Sequence, residues 1–219
     1  MSNRKIKIAV IVGEHPYDVQ EFQHVFTDNN DLEAYIQSLE MFTTSPKEVR
    51  DSYEVLVFYH MYTKTPSSEN NGTGVQRNAL ELLGDTRQGI LILHHSLLAF
   101  PDWKLWADIV GIKDRKFDYH YNQVVDYKIE KNHPITENVK DFTLTDETYS
   151  VNEPGDECEV LVTTNHKPSM KSILWVKSYK NAPVVCYESG HDALAFKNEN
   201  FRKLLYNSIL WLADKHHKE

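Results

Sequence analysis

Gly89-Ile-Leu-Ile-Leu-His-His-Ser96 decides the fold. A short, nearly all-apolar run reads as a strand buried on both faces, which belongs in a parallel sheet. It ends abruptly in two histidines. In open α/β sheets the ligand site lies just beyond the carboxyl ends of such strands, so His94 and His95 fall where this architecture places chemistry. A second run, Pro183-Val-Val-Cys-Tyr187, ends in Glu188-Ser189-Gly190-His191-Asp192. Two strand tips, each with a histidine and the second with carboxylates, point to one site.

Outward from these runs the chain alternates strand and helix. Lys5 to Val12 reads as the first strand, broken by Gly13-Glu14-His15-Pro16, with a helix from about Asp18. A weaker strand is expected within Ala34 to Phe42. Ser45-Pro46-Lys47-Glu48 carries Ser at N-cap, Pro at N1 and Glu at N3, the signature of a helix start. Glu54 to His60 is a third strand. Thr63 to Gly74 is polar and Asn-rich and reads as a loop of lid length. Val75 to Leu83 reads as a helix closed by Gly84. Pro101 to Val110 reads as another, stopped by Gly111. This β-α alternation predicts a mostly parallel sheet with helices on both faces. The middle differs. Val124 to Ile129, Phe142 to Thr145 and Glu159 to Thr163 are short strands separated by turns, and predict a small antiparallel extension, a β-rich insertion at about 115–170 in a single domain of 1–219. Ser172 to Val176 and Pro183 to Tyr187 restore the pattern. A terminal helix over Asn200 to Lys215 places Phe201, Leu204, Leu205, Ile209 and Leu212 at helical spacing.

Composition narrows the partners. The chain has 219 residues and a net charge of −8, which argues against nucleic acid, because binding phosphate needs a basic face. No apolar stretch approaches a membrane span, and the N-terminus runs into a strand with no secretory apolar region. Two cysteines, Cys158 and Cys186, are too few for a disulfide scaffold and lack metal-ligand spacing. They read as buried thiols in a reducing cytoplasm. Trp103, Trp106, Trp175 and Trp211 read as core.

The candidate site gathers His95, His191, Glu147, Asp146 and His120. Imidazoles and carboxylates converging at strand ends bind Zn²⁺ or a similar divalent ion; without metal they polarise a carbonyl or exchange a proton near neutral pH. Strand alternation turns His94 and His95 to opposite faces; His94 then reads as a structural strand-end group and His95 as functional. His15 and His60 end two further strands at the same mouth. Gly13-Glu14-His15 has too few glycines to cradle a phosphate. Tyr119 and Tyr121 flank His120 in an aromatic segment that suits either a carbohydrate cleft or a subunit contact in a homo-oligomer.

Four stretches together resemble the trehalose-utilisation (ThuA-like) family, a branch of the class I glutamine-amidotransferase-like fold. They are Ile92-Leu-His-His-Ser96 with Trp103 to Gly111 following, His133-Pro-Ile-Thr136, Phe142-Thr-Leu-Thr-Asp-Glu-Thr-Tyr149, and Glu188-Ser-Gly-His-Asp192 followed by Asn200-Phe201 and Trp211. The resemblance runs from about residue 5 to residue 213. It implies a flavodoxin-like sheet and a small-molecule sugar or keto-sugar as substrate. It also implies that Glu147 faces the cleft, with Tyr149 making a stacking or hydroxyl contact. On this reading His95, His191 and Glu147 are the catalytic or metal-ligating set, and His15, His60, His120, Tyr149 and Asp192 contact substrate. The reaction would be that of a lyase, isomerase or hydrolase. The amidotransferase pattern itself is broken: where those enzymes carry a nucleophilic cysteine in a strand-to-helix elbow, this chain has His94-His95-Ser96. A glutaminase is therefore not expected. Ser96 with His191 as base and Glu188 as its orienter is the residual nucleophile option. The alternative to an enzyme is an amidotransferase-like module that binds a sugar or a protein without catalysis.

Overall fold

The computed structural model describes residues 4–68 and 72–217; residues 69–71 of the expected Thr63–Gly74 loop lie outside the described residues. The elements run β1 (Ile6–Gly13), α1 (Val19–Thr27), β2 (Leu32–Ser38), α2 (Leu39–Thr44), α3 (Lys47–Arg50), β3 (Val55–His60), α4 (Gly72–Glu81), β4 (Gly89–Leu93), α5 (Lys104–Val110), β5 (Asp118–Ile129), β6 (Phe142–Ser150), β7 (Glu159–Thr164), β8 (Ser172–Tyr179), β9 (Ala182–Tyr187), α6 (Ala193–Phe196) and α7 (Glu199–His217). Short 3₁₀ turns follow β4 (His94–Leu98) and precede β6 (Pro134–Thr136).

All nine strands form one sheet in the order β2-β1-β3-β4-β9-β8-β7-β5-β6. Four pairings are parallel, from β2 to β9, and four are antiparallel, from β9 to β6. The sheet is therefore mixed rather than mostly parallel. The expected small extension is half of the pairing, because the short strands of the middle segment continue the sheet instead of capping it.

The parallel strands carry apolar residues on both faces, as strands covered by helices must. Ile8 and Val10 of β1, Val55, Val57 and Tyr59 of β3, and Leu91 and Leu93 of β4 face one core, where Phe22 and Phe26 of α1 and Leu204, Leu205 and Leu212 of α7 pack. Ala9 and Ile11, Leu56 and Phe58, and Ile90 and Ile92 face the other, covered by Leu39 and Phe42 of α2, Leu80 and Leu83 near α4, and Trp106 and Ile109 of α5. Trp211 is only half-buried and lies against His133 (5.3 Å between ring centroids); Leu212 holds the deeper position.

Local starts and stops follow side-chain chemistry. Asp18 caps α1 through the Glu21 N–H, and Gly111 closes α5 at φ +85°. The second strand stops earlier than expected, because Ser38 caps α2 through the Met41 N–H. Ser45 does not cap the next helix: its hydroxyl donates back to the Met41 carbonyl, and α3 starts at Lys47 behind Pro46. The α4 helix begins three residues before Val75, within the expected loop.

One departure builds the site. β5 pairs with β7 only over Tyr127–Ile129 but with β6 over Asp118–Tyr127. The outer half of the β5–β6 hairpin thus leaves the sheet and reaches the carboxyl ends of the parallel strands. There the Tyr149 N–H donates to Glu188 (2.9 Å), and Asp146 receives the N–H groups of Gly190 and His191 (2.7 and 3.0 Å).

Candidate functional site

The chain leaves β4 through His94 at φ +51°, a left-handed conformation uncommon outside glycine and enriched where function holds backbone strain. This is the strand-to-turn elbow identified in the sequence. Because the strand ends at Leu93 and a 3₁₀ turn begins, alternation no longer governs the two histidines. It is His94, and not His95, whose ring turns towards Glu147 and His191.

His94 is fully buried. Its Nδ1–H donates to the Glu188 carbonyl (2.6 Å), which aims Nε2 at the cluster. Around that nitrogen lie Glu147 Oε2 at 3.2 Å, His191 Nδ1 at 3.2 Å and the Tyr149 hydroxyl at 2.8 Å. His191 Nδ1 is 3.1 Å from the same Glu147 oxygen, and Tyr149 donates to it at 2.7 Å. His94, Glu147 and His191 are the one group of three or more such side chains, among the described residues, whose ligand atoms converge closely enough to hold a metal ion.

The electrostatics are strongly coupled. Burial disfavours the Glu147 carboxylate, but the neighbouring His191, His94 and Tyr149 side chains outweigh it and hold its pKa well below the ordinary value. Burial also opposes charge on His191, and the Glu147 carboxylate reverses that, raising the His191 pKa. The His191 side chain is 18% exposed against 4% for Glu147 and none for His94, so His191 is the cluster's face to solvent.

Asp146 is the positioning group that sequence reading left outside the catalytic set. Its buried carboxylate accepts the N–H groups of Glu147, Gly190 and His191. That ties the tip of β9 to β6, with Gly190 at φ +117° making the turn. Burial raises the Asp146 pKa against the pull of His94 and the three N–H groups. Tyr59 also donates to the Gly190 carbonyl (2.9 Å). Glu188 is buried, with one carboxylate oxygen on the Tyr149 N–H and the other without a hydrogen-bond partner among the described residues; burial and the neighbouring Asp146 raise its pKa far above the usual range. It orients nothing on Ser96.

The other expected site residues sort by geometry. His95 is buried behind the cluster, stacked on His15 (4.3 Å) and against Tyr59 (4.3 Å), and neither ring nitrogen has a hydrogen-bond partner among the described residues. Burial and the surrounding histidines push its pKa well down. It is not in the metal-competent trio; His94 takes that place. His15 is half-buried, 5.7 Å from the His191 ring, and joins the site's wall. His60 is sealed among Phe58, Tyr62, Phe100 and Trp106, because it continues the β3 face that carries Leu56 and Phe58 into the core. It does not reach the cleft. Ser96 donates to the His60 carbonyl and accepts the His60 N–H (2.7 and 2.5 Å), so its hydroxyl stitches two strand ends and makes no hydrogen bond to His191.

Asp192 is occupied in capping α6 through the Leu194 N–H (2.7 Å). Tyr149 is buried and offers its hydroxyl, not a stacking face. His120 bonds Ser150 (3.2 Å), and Tyr121 beside it meets the His191 ring instead (5.2 Å). A bulge between His120 and Gln123, with Asn122 at φ +54°, resets the alternation there. Tyr119 and Tyr121 are 54% and 52% exposed and pack on each other (5.1 Å), with Tyr121 the one of the two against His191. Cys158 and Cys186 are unpaired; burial pushes the Cys158 thiol up to about 11 and raises the Cys186 thiol well above its ordinary value. No helix among the described residues is long and apolar enough to cross a membrane.

Comparison with known proteins agrees with this architecture. A search of curated proteins finds no match. Among solved structures, a ThuA-like protein from Bacteroides uniformis ATCC 8492 superposes with a TM-score of 0.76 at 18% identity, covering 97% of this chain and 93% of its own. One from Parabacteroides merdae ATCC 43184 gives 0.72 at 17% identity, covering 96% and 90%. A cytoplasmic protein of Salmonella typhimurium LT2 gives 0.61 at 13% identity, covering 95% and 98%. At these identities the likeness is one of fold. The family model described as trehalose utilisation matches residues 11–212, and the chain belongs to that family, ThuA.

Proposed function

We propose that the protein is a cytoplasmic enzyme of carbohydrate metabolism that acts on a sugar or keto-sugar at the His94–Glu147–His191 cluster, and is not a glutaminase. The observation that carries this is the convergence of two imidazoles and a phenol on one carboxylate oxygen at the carboxyl ends of the sheet. Membership of the trehalose utilisation family supports carbohydrate as the substrate class. The site's chemistry is suited to it. A carboxylate-bound imidazole facing solvent exchanges protons near neutral pH, and the same donor set can hold a metal that polarises a sugar carbonyl. Tyr121 beside His191, and Tyr119 packed on Tyr121, provide exposed rings. The C–H face of a pyranose packs well on such rings, while hydroxyls reach the polar cluster. The reaction classes that fit are lyase, isomerase and hydrolase. The same exposed rings also suit a subunit contact, and a homo-oligomer belongs to the proposal.

The test is conversion of a panel of sugars and their keto derivatives, trehalose included, followed by NMR. Wild-type protein should convert at least one, and Glu147→Gln should lose conversion with its circular dichroism unchanged. Binding without conversion, equal in wild type and Glu147→Gln, would sink the enzyme reading in favour of a sugar-binding module.

A further inference from the structure

We infer that His94 Nε2, Glu147 Oε2 and His191 Nδ1 form the binding site of one first-row divalent transition-metal ion. This rests on the cluster assigned above but not on the identity of its substrate.

The three atoms form a nearly equilateral triangle, with sides of 3.2, 3.1 and 3.2 Å. An ion at about 2.1 Å from each would sit roughly 1 Å out of their plane, with ligand–metal–ligand angles of about 100°. That lies between octahedral and tetrahedral values and leaves the opposite face of the ion open. Two imidazoles and one carboxylate are the donor set that suits zinc, iron, manganese or cobalt, rather than magnesium or calcium with their all-oxygen preference.

The hydrogen count points the same way. His94 spends its Nδ1–H on the Glu188 carbonyl, so in the neutral ring Nε2 carries a lone pair. That lone pair faces a carboxylate oxygen and a second imidazole nitrogen. Tyr149 has one hydroxyl hydrogen and lies within reach of two acceptors, at 2.7 and 2.8 Å. With His191 Nδ1 deprotonated, a cation on the axis of the triangle, out of its plane, satisfies all three ligand lone pairs at once.

The surrounding shell is that of a held ligand set. Metal-bound imidazoles almost always donate their other N–H to a carbonyl or carboxylate, and His94 does so. Glu147 is fixed by Tyr149, and the backbone on either side of the site is fixed by Asp146. His95 and His15 stand outside the trio: they pack on each other and supply no third imidazole to the triangle.

The experiment uses tag-free full-length protein stripped with chelator and dialysed, then titrated with Zn²⁺ alone by calorimetry and with Co²⁺ alone by visible absorption. Wild type should take up one ion per chain, with a Co²⁺ spectrum of low coordination number. His94→Ala and Glu147→Ala should each weaken binding at least a hundredfold. Because Glu147→Ala empties a buried position, Glu147→Gln is measured beside it; both must melt cooperatively to count. A His216→Ala/His217→Ala double variant removes the C-terminal histidine pair and should bind like wild type. Binding that survives Glu147→Gln and His94→Ala, or is lost in the tail variant, overturns the site, as does a wild type that binds no ion. In that last case, sugar conversion lost in Glu147→Gln would leave metal-free acid/base chemistry standing; metal uptake without sugar conversion would leave the ion site and sink the enzyme reading.

Discussion

Replacing His60 with phenylalanine should flatten the protein's acid-denaturation limb while leaving the functional site intact. The His60 ring has no solvent exposure, is surrounded by four aromatic rings, and has no hydrogen-bond partner at either nitrogen among the described residues. Burial drives its pKa down to about 3 from the ordinary 6.5. A folded-state pKa below the unfolded value means the unfolded chain binds the proton first. Stability from this group is therefore fully present above about pH 6.5 and is lost as the pH falls toward 3. The loss is at most about 1.4 kcal/mol per pH unit, so between pH 6.5 and 4.5 it comes to roughly 2–3 kcal/mol. Phenylalanine cannot take up that proton. Its extra bulk costs about 1 kcal/mol, but equally at every pH. Urea unfolding of wild type and His60→Phe at pH 7.5 and 4.5 separates the two effects. The variant should gain about 2–3 kcal/mol on wild type between the two conditions, and its sugar and metal binding should match wild type at pH 7.5. A gap between the two proteins that does not change with pH would refute the buried neutral imidazole. Loss of ligand binding in the variant would return His60 to the site.

Other substitutions probe the scaffold. Asp146→Ala leaves three backbone N–H groups without their carboxylate; at about 1–3 kcal/mol for each buried group left unmade, it should lower the melting temperature markedly and abolish ligand binding together. Trp106→Ala empties a fully buried position and removes a hydrogen bond to the Ser96 carbonyl, so chemical denaturation should show a loss of about 3–5 kcal/mol, whereas Trp211→Ala, half-exposed, should cost clearly less. Cys158→Ala and Cys186→Ala should leave sugar conversion unchanged, and native Cys186 should resist thiol reagents until the protein unfolds, because neither thiol lies among the cluster's contacts.

Much of the scaffold was legible because it depends on local patterns. The apolar runs at Val55–His60, Gly89–Leu93 and Ala182–Tyr187 announce buried strands, and Asp18 and Gly111 announce helix ends. The carboxyl ends of those strands do carry the cluster. What stayed hidden is non-local or lies at a break in periodicity. The facing of His94 and His95 could not be read because the strand alternation used to orient them ends one residue earlier, at Leu93. His120 and Tyr121 could not be assigned to faces without the bulge between them. Glu147 and Asp146 belong to a hairpin arm whose reach across the strand ends depends on β5 parting from β7 after a three-residue ladder, which no window of sequence encodes. The balance of parallel and antiparallel pairing was missed for the same reason: β7 and β8 look like an insertion and its return, yet pair as consecutive members of one sheet.

The most direct measurement is a crystal structure of the Glu147→Gln variant soaked with trehalose or the sugar that wild type converts. The account predicts a sugar ring against Tyr121, with hydroxyl or carbonyl oxygens within hydrogen-bond distance of His191. A sugar bound elsewhere, with the His94–Glu147–His191 cluster untouched, would contradict it.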